Sequence, residues 1–265
     1  MTTRNLFPAV GRLSCRRLRS HAPLAPIILA LAFLSGCATP GPLHLYTAPS
    51  TQPAALLDTA PGSPAVPVDI PTFLAPGETL TGLAYDPFTD HLFLRLAPGN
   101  VIRVVDRPAR AIKRTFTVAT LPATGGGDLA VRPRDGRIFF AHPSEPALVV
   151  TDRFGRAERI LRLATLTTPP TGVAYDSVRN QLLVLNPGDP ARITAHAPDG
   201  DLIATMILDR PTAATGLAYD PLAQEFYLTT TTSVAIFAVS GHSLRTLPQP
   251  AAFLDLGPRS LLRLF

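Results

Sequence analysis

The apolar residues of this chain fall into short runs that alternate with polar residues and are separated by proline, glycine and aspartate. Alternation of this kind predicts β-strands joined by turns. One run, Thr-Gly-Leu-Ala-Tyr-Asp-Pro at 81–87, recurs at 171–176 (with Val for Leu) and at 215–221, and a degenerate copy, Gly-Asp-Leu-Ala-Val-Arg-Pro, stands at 127–133. Successive copies lie 46, 44 and 44 residues apart, close to the period of a four-stranded propeller blade.

Each copy predicts the inner strand of one blade, strand A, and strands B, C and D follow it in chain order. The segment 114–118, Arg-Thr-Phe-Thr-Val, shows the alternation of a half-buried strand. The predicted strands of the four repeats are 82–85, 92–96, 101–105 and 114–118; 129–131, 137–141, 147–151 and 159–163; 173–175, 181–185, 192–195 and 202–208; and 217–219, 225–229 and 234–239.

A further blade is predicted from the two ends of the chain. Residues 253–255 resemble the end of the preceding strand D, and the segment from Leu261 begins 44 residues after Leu217, where the next strand A is due. The sequence therefore predicts an all-β protein, a β-propeller of about five four-stranded blades with four or six as alternatives, whose ring is closed by strands from both termini. The predicted strands of this closing blade are B at 43–49, C at 54–57, D at 70–74 and A at 261–264.

The repeated Gly-hydrophobic-Ala-Tyr/Val-Asp-Pro segment, followed by a short strand pair, resembles the blades of NHL-like and YVTN-repeat β-propellers. The resemblance spans about residues 43 to 265 and concerns the architecture. A solenoid is the structural rival, because it also repeats at a fixed period. Propellers of this kind include enzymes, signalling domains and scaffolds, so the resemblance implies a fold without selecting a function.

The N-terminal segment has the features of a secretory signal. It carries five arginines and no acidic residue within 1–36, with an apolar run at 27–34 that is too short for a stable membrane span. Leu-Ser-Gly-Cys at 34–37 resembles the bacterial lipobox, which implies that Cys37 becomes the lipidated first residue of the mature protein. The expected organisation is a lipoprotein signal peptide at 1–36, the lipidated cysteine and a short tether at 37–42, and a single propeller domain at 43–265.

The lipobox also implies a location. Ala38, rather than aspartate, follows the cysteine and fits export to the outer membrane, so we expect a lipoprotein of the cell envelope that faces the periplasm. Strand B at 43–49 begins only a few residues after Cys37. We therefore expect the face that carries the A-to-B turns to lie toward the membrane, and the opposite face to point into the periplasm.

Removal of the signal changes the charge and the cysteine chemistry. The chain has 24 basic and 19 acidic residues, and five of the basic residues lie in the signal, so the mature protein is near neutral. The basic pI is then no argument for nucleic acid, and we expect no nucleic-acid partner. Cys15 leaves with the signal and Cys37 is acylated, which excludes a disulfide or a cysteine nucleophile.

Candidate ligand residues lie in the D-to-A and B-to-C connections, which share one face around the central channel. Asp128 takes the place of the repeat's glycine and follows three glycines, so it is either a carboxylate at the channel mouth or a polar substitution in a drifting repeat. The full set of candidates is Asp128, His142, Glu145, Asn186 and Asp189.

Three functions remain open on the sequence, and the third of them is a sensor or assembly factor in an envelope complex. The first is a binding or scaffold module for a protein or small molecule, favoured because no catalytic motif is present. The second is a metal-dependent hydrolase or lactonase in which Asp128, Glu145 and Asp189 hold a divalent cation. Apart from this possible divalent cation, the sequence predicts no cofactor. Asp86, Asp176 and Asp220 recur in the repeats, which indicates a structural role in the A-to-B turns, and the tyrosines before them are expected to pack between blades.

Overall fold

The computed structural model describes residues 43–48, 56–59, 66–67, 74–210, 212–230, 232–248 and 251–257. These residues belong to one compact unit and form strands without a helix. In the described residues no helix is long and apolar enough to cross a membrane. The signal segment and Cys37 lie outside the described residues.

Five four-stranded antiparallel sheets form a β-propeller, which confirms the predicted fold class and blade number. Blades 1 to 4 each run from the inner strand outward in chain order, and the fifth, the closing blade, combines both ends of the chain. The strands are, for blade 1, β4 Thr79–Asp86, β5 His91–Ala97, β6 Val101–Asp106 and β7 Ala111–Thr117; for blade 2, β8 Leu129–Arg132, β9 Arg137–Ala141, β10 Ala147–Thr151 and β11 Ala157–Arg162; for blade 3, β12 Gly172–Asp176, β13 Gln181–Asn186, β14 Arg192–His196 and β15 Leu202–Ile207; for blade 4, β16 Gly216–Asp220, β17 Glu225–Thr229, β18 Val234–Ala238 and β19 Ser243–Leu247; and, for the closing blade, β20 Phe253–Gly257, β1 His44–Ala48, β2 Leu57–Thr59 and β3 Val66–Pro67.

The closing blade departs from the prediction in its strand A. The inner strand is β20, paired with β1, whereas the sequence placed it at 261–264 and assigned 253–255 to strand D of blade 4. That strand D is β19. The connection 248–252 that leads to β20 is shorter than its counterpart 163–171, so the inner strand begins earlier than the repeat period predicts. The outer strands differ as well, because β3 Val66–Pro67 pairs with β2 Leu57–Thr59, whereas the sequence placed strand C at 54–57 and strand D at 70–74. Leu74 is not part of a strand. Residues 70–73 and 261–264 lie outside the described residues.

The hydrophobic core is divided among the interfaces between blades. Five apolar clusters each combine residues of two neighbouring blades. Leu83 and Tyr85 of β4 pack toward the closing blade, whereas Ala84 between them packs toward blade 2. Because successive side chains of a strand point to opposite faces, one inner strand serves two interfaces. The outer strands β7, β11, β15 and β19 are largely exposed.

The recurring aspartate and tyrosine have the structural roles expected of them. The carboxylates of Asp86, Asp176 and Asp220 are buried and accept the amide N–H of the residue two positions later, at 2.9 to 3.0 Å. This contact fixes each A-to-B turn. The tyrosines before them contact the preceding blade; for example, the ring of Tyr85 packs against that of Tyr46 at 5.3 Å.

Candidate functional site

The central channel is lined by the free edges of the inner strands. An inner strand has a partner strand on one side only, so alternate amides on its other edge point into the channel without a sheet partner. The amides of Val173 and Leu217 are of this kind, because both donate to the carboxylate of Asp128 in the channel. Amides two residues further along, at Tyr175 and Tyr219, face the same way.

Asp128 closes one end of the channel. Its Oδ2 accepts the N–H groups of Val173 at 2.9 Å and of Leu217 at 3.0 Å, so a blade 2 side chain ties blades 3 and 4 together across the axis. The residue is fully buried, and this burial raises the pKa of its carboxyl well above the usual value. One prediction from the sequence was a carboxylate on a loop at the channel mouth. In the structure Asp128 is instead enclosed at the channel axis.

The glycines before Asp128 allow this close approach. A Cβ at Gly126 would overlap the side chain of Thr81, and one at Gly127 would lie 3.1 Å from the Cβ of Ala141. The buried guanidinium of Arg95 holds the same loop, because its Nη1 donates to the carbonyls of Gly127 at 3.0 Å and Ala141 at 2.7 Å. Burial lowers the pKa of Arg95 to about 10, and the charge of Asp128 opposes this shift.

Asp255 is a second carboxyl group in the channel. Leu254 lies beside Gly216 in the same way as Leu217 lies beside Gly172, so Leu254 corresponds to the leucine of the repeat. Asp255 comes next and therefore occupies the position of the repeat's alanine. Its Oδ2 accepts the amide of Tyr85 at 2.6 Å and thereby joins the closing blade to blade 1. Burial raises the pKa of Asp255 to about 7, against the lowering effect of its bonds from the Tyr85 and Leu256 amides.

A cavity of about 330 Å³ opens on the face of the A-to-B turns, and we call it the channel-mouth cavity. Its wall is mainly apolar, and Asp255 supplies a carboxyl group to it. Its volume lies at the lower end of the range for small-molecule sites. The residues that line it are Leu43, Tyr85, Pro87, Ala130, Val131, Pro133, Ala174, Tyr175, Ser177, Tyr219, Asp220, Pro221, Leu222, Asp255, Leu256 and Gly257.

Exposed apolar side chains lie on the same face as the opening of this cavity. Phe88, Val178 and Leu222 are 74%, 69% and 64% exposed and occupy the same position in the A-to-B turns of blades 1, 3 and 4. We call these three residues the apolar rim.

A second cavity, the polar cleft, lies on the opposite face, between the D-to-A connection that joins blades 2 and 3 and the B-to-C connection of blade 3. It measures about 460 Å³ and brings together Asn186 and Asp189, two of the candidates identified in the sequence. Its lining is Thr165, Thr167, Thr168, Asn186, Pro187, Gly188, Asp189, Pro190, Arg192, Thr194 and Thr205.

The other candidates do not join these two. His142 is buried, and its Nδ1 accepts the amide of Glu145 at 3.0 Å, so the ring stabilises its own loop. Glu145 lies 3.6 Å from the exposed guanidinium of Arg162. Within the described ranges, no three His, Cys, Asp or Glu side chains gather into a metal-binding group. Neither His142 nor Glu145 lines the polar cleft.

The sequence did not indicate Asp255 or Arg95 as site residues. Asp255 was assigned to an outer strand, so its place in the channel could not be recognised. The sequence nevertheless contained a signal, because Asp255 is the one acidic residue in the otherwise apolar segment Phe-Leu-Asp-Leu-Gly at 253–257. Arg95 interrupts the apolar run of strand β5 and lies fully buried there, which is unusual for arginine.

Comparison with known proteins supports the fold alone. No family model matches the chain, and no curated protein matches it. A chain of a nidogen/laminin complex aligns with a TM-score of 0.57 and 16% identity over 81% of this chain and 98% of its own length. The glutaminyl cyclase of Myxococcus xanthus aligns with a TM-score of 0.48 and 16% identity over 66% of this chain and 69% of its own. The hydrazine synthase of Kuenenia stuttgartiensis aligns with a TM-score of 0.46 and 12% identity over 64% of this chain and 49% of its own.

Proposed function

We propose that this protein is a lipid-anchored binding module of the bacterial envelope that holds a small amphipathic ligand in its channel-mouth cavity. The observation that carries the proposal is the cavity itself, in which an apolar wall meets a carboxyl group with a raised pKa. A concave apolar site with a few converging polar groups is the usual form of a small-molecule site.

The polar groups of the cavity determine where a ligand's head would lie. The channel-facing amides of Tyr175 and Tyr219 offer N–H donors, and Asp255 offers a carboxyl group on the same wall. An acceptor group of the ligand would bind these amides, and its apolar body would lie against Leu256 and the prolines of the A-to-B turns. Recognition would then combine burial of apolar surface with a small number of directed hydrogen bonds.

The proposed anchor and orientation fit this ligand. Leu43 lines the cavity and is six residues from Cys37, which is a reach of at most about 20 Å. If Cys37 is acylated, the cavity and its apolar rim lie near the bilayer, where amphipathic molecules are concentrated. We propose an outer-membrane lipoprotein that faces the periplasm. No observation on the described residues favours the metal-dependent hydrolase, so binding is the single function we propose.

The cavity can be tested with the fluorescent amphiphile N-phenyl-1-naphthylamine. Ser177 is exposed and lines the opening, so Ser177→Trp should obstruct it and weaken probe binding by about tenfold or more, the equivalent of about 1.4 kcal/mol.

Ser144→Trp is the matched control, because Ser144 is an exposed serine in the B-to-C connection of blade 2, on the opposite face, and does not line the cavity. We expect this variant to bind the probe as the unsubstituted protein does. Equal weakening by the two variants, or no weakening by either, would show that the probe does not enter this cavity.

A further inference from the structure

The polar cleft differs from the channel-mouth cavity in position and in chemistry. It lies on the face of the B-to-C and D-to-A connections, and its wall consists of threonine, asparagine, aspartate and arginine side chains with two prolines and a glycine. None of its lining residues is aromatic or a large aliphatic residue. An apolar ligand would therefore find little surface to bury in the cleft, whereas a ligand rich in hydrogen-bonding groups would find several partners.

A hydrogen-bonded chain fixes the orientation of the Asn186 amide. The Nδ1 of His196 lies 3.0 Å from the carbonyl oxygen of Gly200, so Nδ1 carries the proton. Burial lowers the pKa of His196, so the ring is neutral near pH 7 and its Nε2 accepts the hydroxyl of Thr194 at 3.0 Å. The oxygen of Thr194 is then an acceptor and takes an N–H of Asn186 at 3.0 Å.

This chain leaves the buried Asn186 oxygen without a hydrogen-bond partner in the described part of the protein. The amide nitrogen must point toward Thr194, because the Thr194 hydroxyl has already donated its hydrogen. Asn186 Oδ1 consequently lies on the other side of the amide and has no hydrogen-bond partner among the described residues. A buried acceptor without a partner costs free energy, and a ligand that donates to it would recover that cost.

Two opposite charges border the same cleft. Asp189 and Arg192 are both exposed, and neither side chain forms a hydrogen bond or an ion pair with another described residue. A carboxylate only accepts hydrogen bonds, and a guanidinium only donates them. A hydroxyl group does both, so neighbouring hydroxyls of one ligand can donate to Asp189 or Asn186 and accept from Arg192.

We propose that the polar cleft is a second binding site, specific for a hydroxylated ligand of the short-saccharide class. Its volume of about 460 Å³ falls within the usual range for small-molecule sites. The threonine hydroxyls extend the same donor and acceptor pattern along the wall. The site is independent of the channel-mouth cavity, since the two share no lining residue.

The test is saturation-transfer NMR of the purified protein with glucose, N-acetylglucosamine and the β-1,4-linked disaccharide of each, followed by titration of any saccharide that responds. At least one should give a saturable signal at roughly millimolar concentration. Asn186→Ala should weaken binding by about tenfold, and Asp189→Asn should weaken it severalfold. Asp189 lies on an exposed loop, so its variant remains informative if the Asn186 variant does not fold.

Two matched controls distinguish binding in the polar cleft from a general effect of charge and from binding in the channel-mouth cavity. Asp199→Asn changes an exposed aspartate of the same blade outside the cleft, and Ser177→Trp obstructs the other cavity; both should bind saccharide normally. The proposal is overturned if no saccharide gives a saturable signal, or if Asp199→Asn weakens binding as much as Asp189→Asn. Binding of glycine betaine with the same sensitivity to the cleft variants, in the absence of saccharide binding, would instead identify a site for zwitterions.

Discussion

Ionisation of Asp255 should make this protein less stable as the pH rises. Asp255 is a half-buried residue that lines the channel-mouth cavity, and burial of its carboxyl group raises the pKa from 3.8 to about 7. The folded protein therefore holds this proton more tightly than the unfolded chain does. Between those two pH values the folded state binds more protons, so the free energy of unfolding falls as pH increases.

The magnitude follows from the size of the shift. Each pKa unit corresponds to about 1.36 kcal/mol, so a shift from 3.8 to about 7 corresponds to at most about 4 kcal/mol, lost progressively over that interval. Water that enters the cavity screens the charge and reduces this figure, and we expect about 2 to 4 kcal/mol. The substitution Asp255→Asn removes the ionisation and keeps an oxygen that can accept the Tyr85 amide.

The assay is urea unfolding followed by far-UV circular dichroism from pH 4.5 to 8, with the variant compared with the unsubstituted protein at each pH. The difference is needed because the pKa values of His91 and His196 are lowered from 6.5, so both residues add stability to the folded state as the pH rises toward 6.5. Relative to the unsubstituted protein, Asp255→Asn should gain stability steadily up to about pH 7 and then level off.

Asp199→Asn, an exposed substitution far from the channel, is the control and should show no such trend. A constant difference between Asp255→Asn and the unsubstituted protein across this pH range would refute the reasoning, because it would mean that Asp255 ionises equally easily in the folded and unfolded states.

Two further predictions concern Asp128 and Cys37. Asp128→Ala should lower the free energy of unfolding by about 2 to 5 kcal/mol, because it leaves the buried amides of Val173 and Leu217 without an acceptor. Asp128→Asn should lower it clearly less. Urea unfolding measures both losses, and equal losses would contradict the role of these hydrogen bonds. Cys37→Ser should abolish incorporation of labelled palmitate and move the protein from the membrane to the soluble fraction, whereas Cys15→Ser, the control at the other cysteine, should change neither. Undiminished label in the Cys37 variant would show that the acyl chain is attached elsewhere.

The candidate site could be predicted from the sequence only in part. Asn186 and Asp189 were identified because they lie in a B-to-C connection, and the structure places both in the polar cleft. Asp128 was identified because it departs from the repeat, but its contacts lie 45 and 89 residues away in the chain, at Val173 and Leu217. No local pattern shows which distant amides a side chain will meet.

The sequence by itself determined the blades. The repeat period, the alternation of apolar residues and the turn-forming aspartates are local properties, and each blade needs the same inner strand and the same turn. The closing strand was less well determined, because β20 preserves little of the repeat beyond its apolar residues and begins earlier than the period predicts.

Only the tertiary structure decided the chemistry of the channel. Closure of the ring brings five free strand edges to one axis, where their amides require acceptors that no neighbouring strand provides. Asp128 and Asp255 meet that requirement from two different blades, and the space that remains between the inner strands is the channel-mouth cavity. These contacts depend on the geometry of the closed ring and therefore cannot be derived from the order of residues along a single blade.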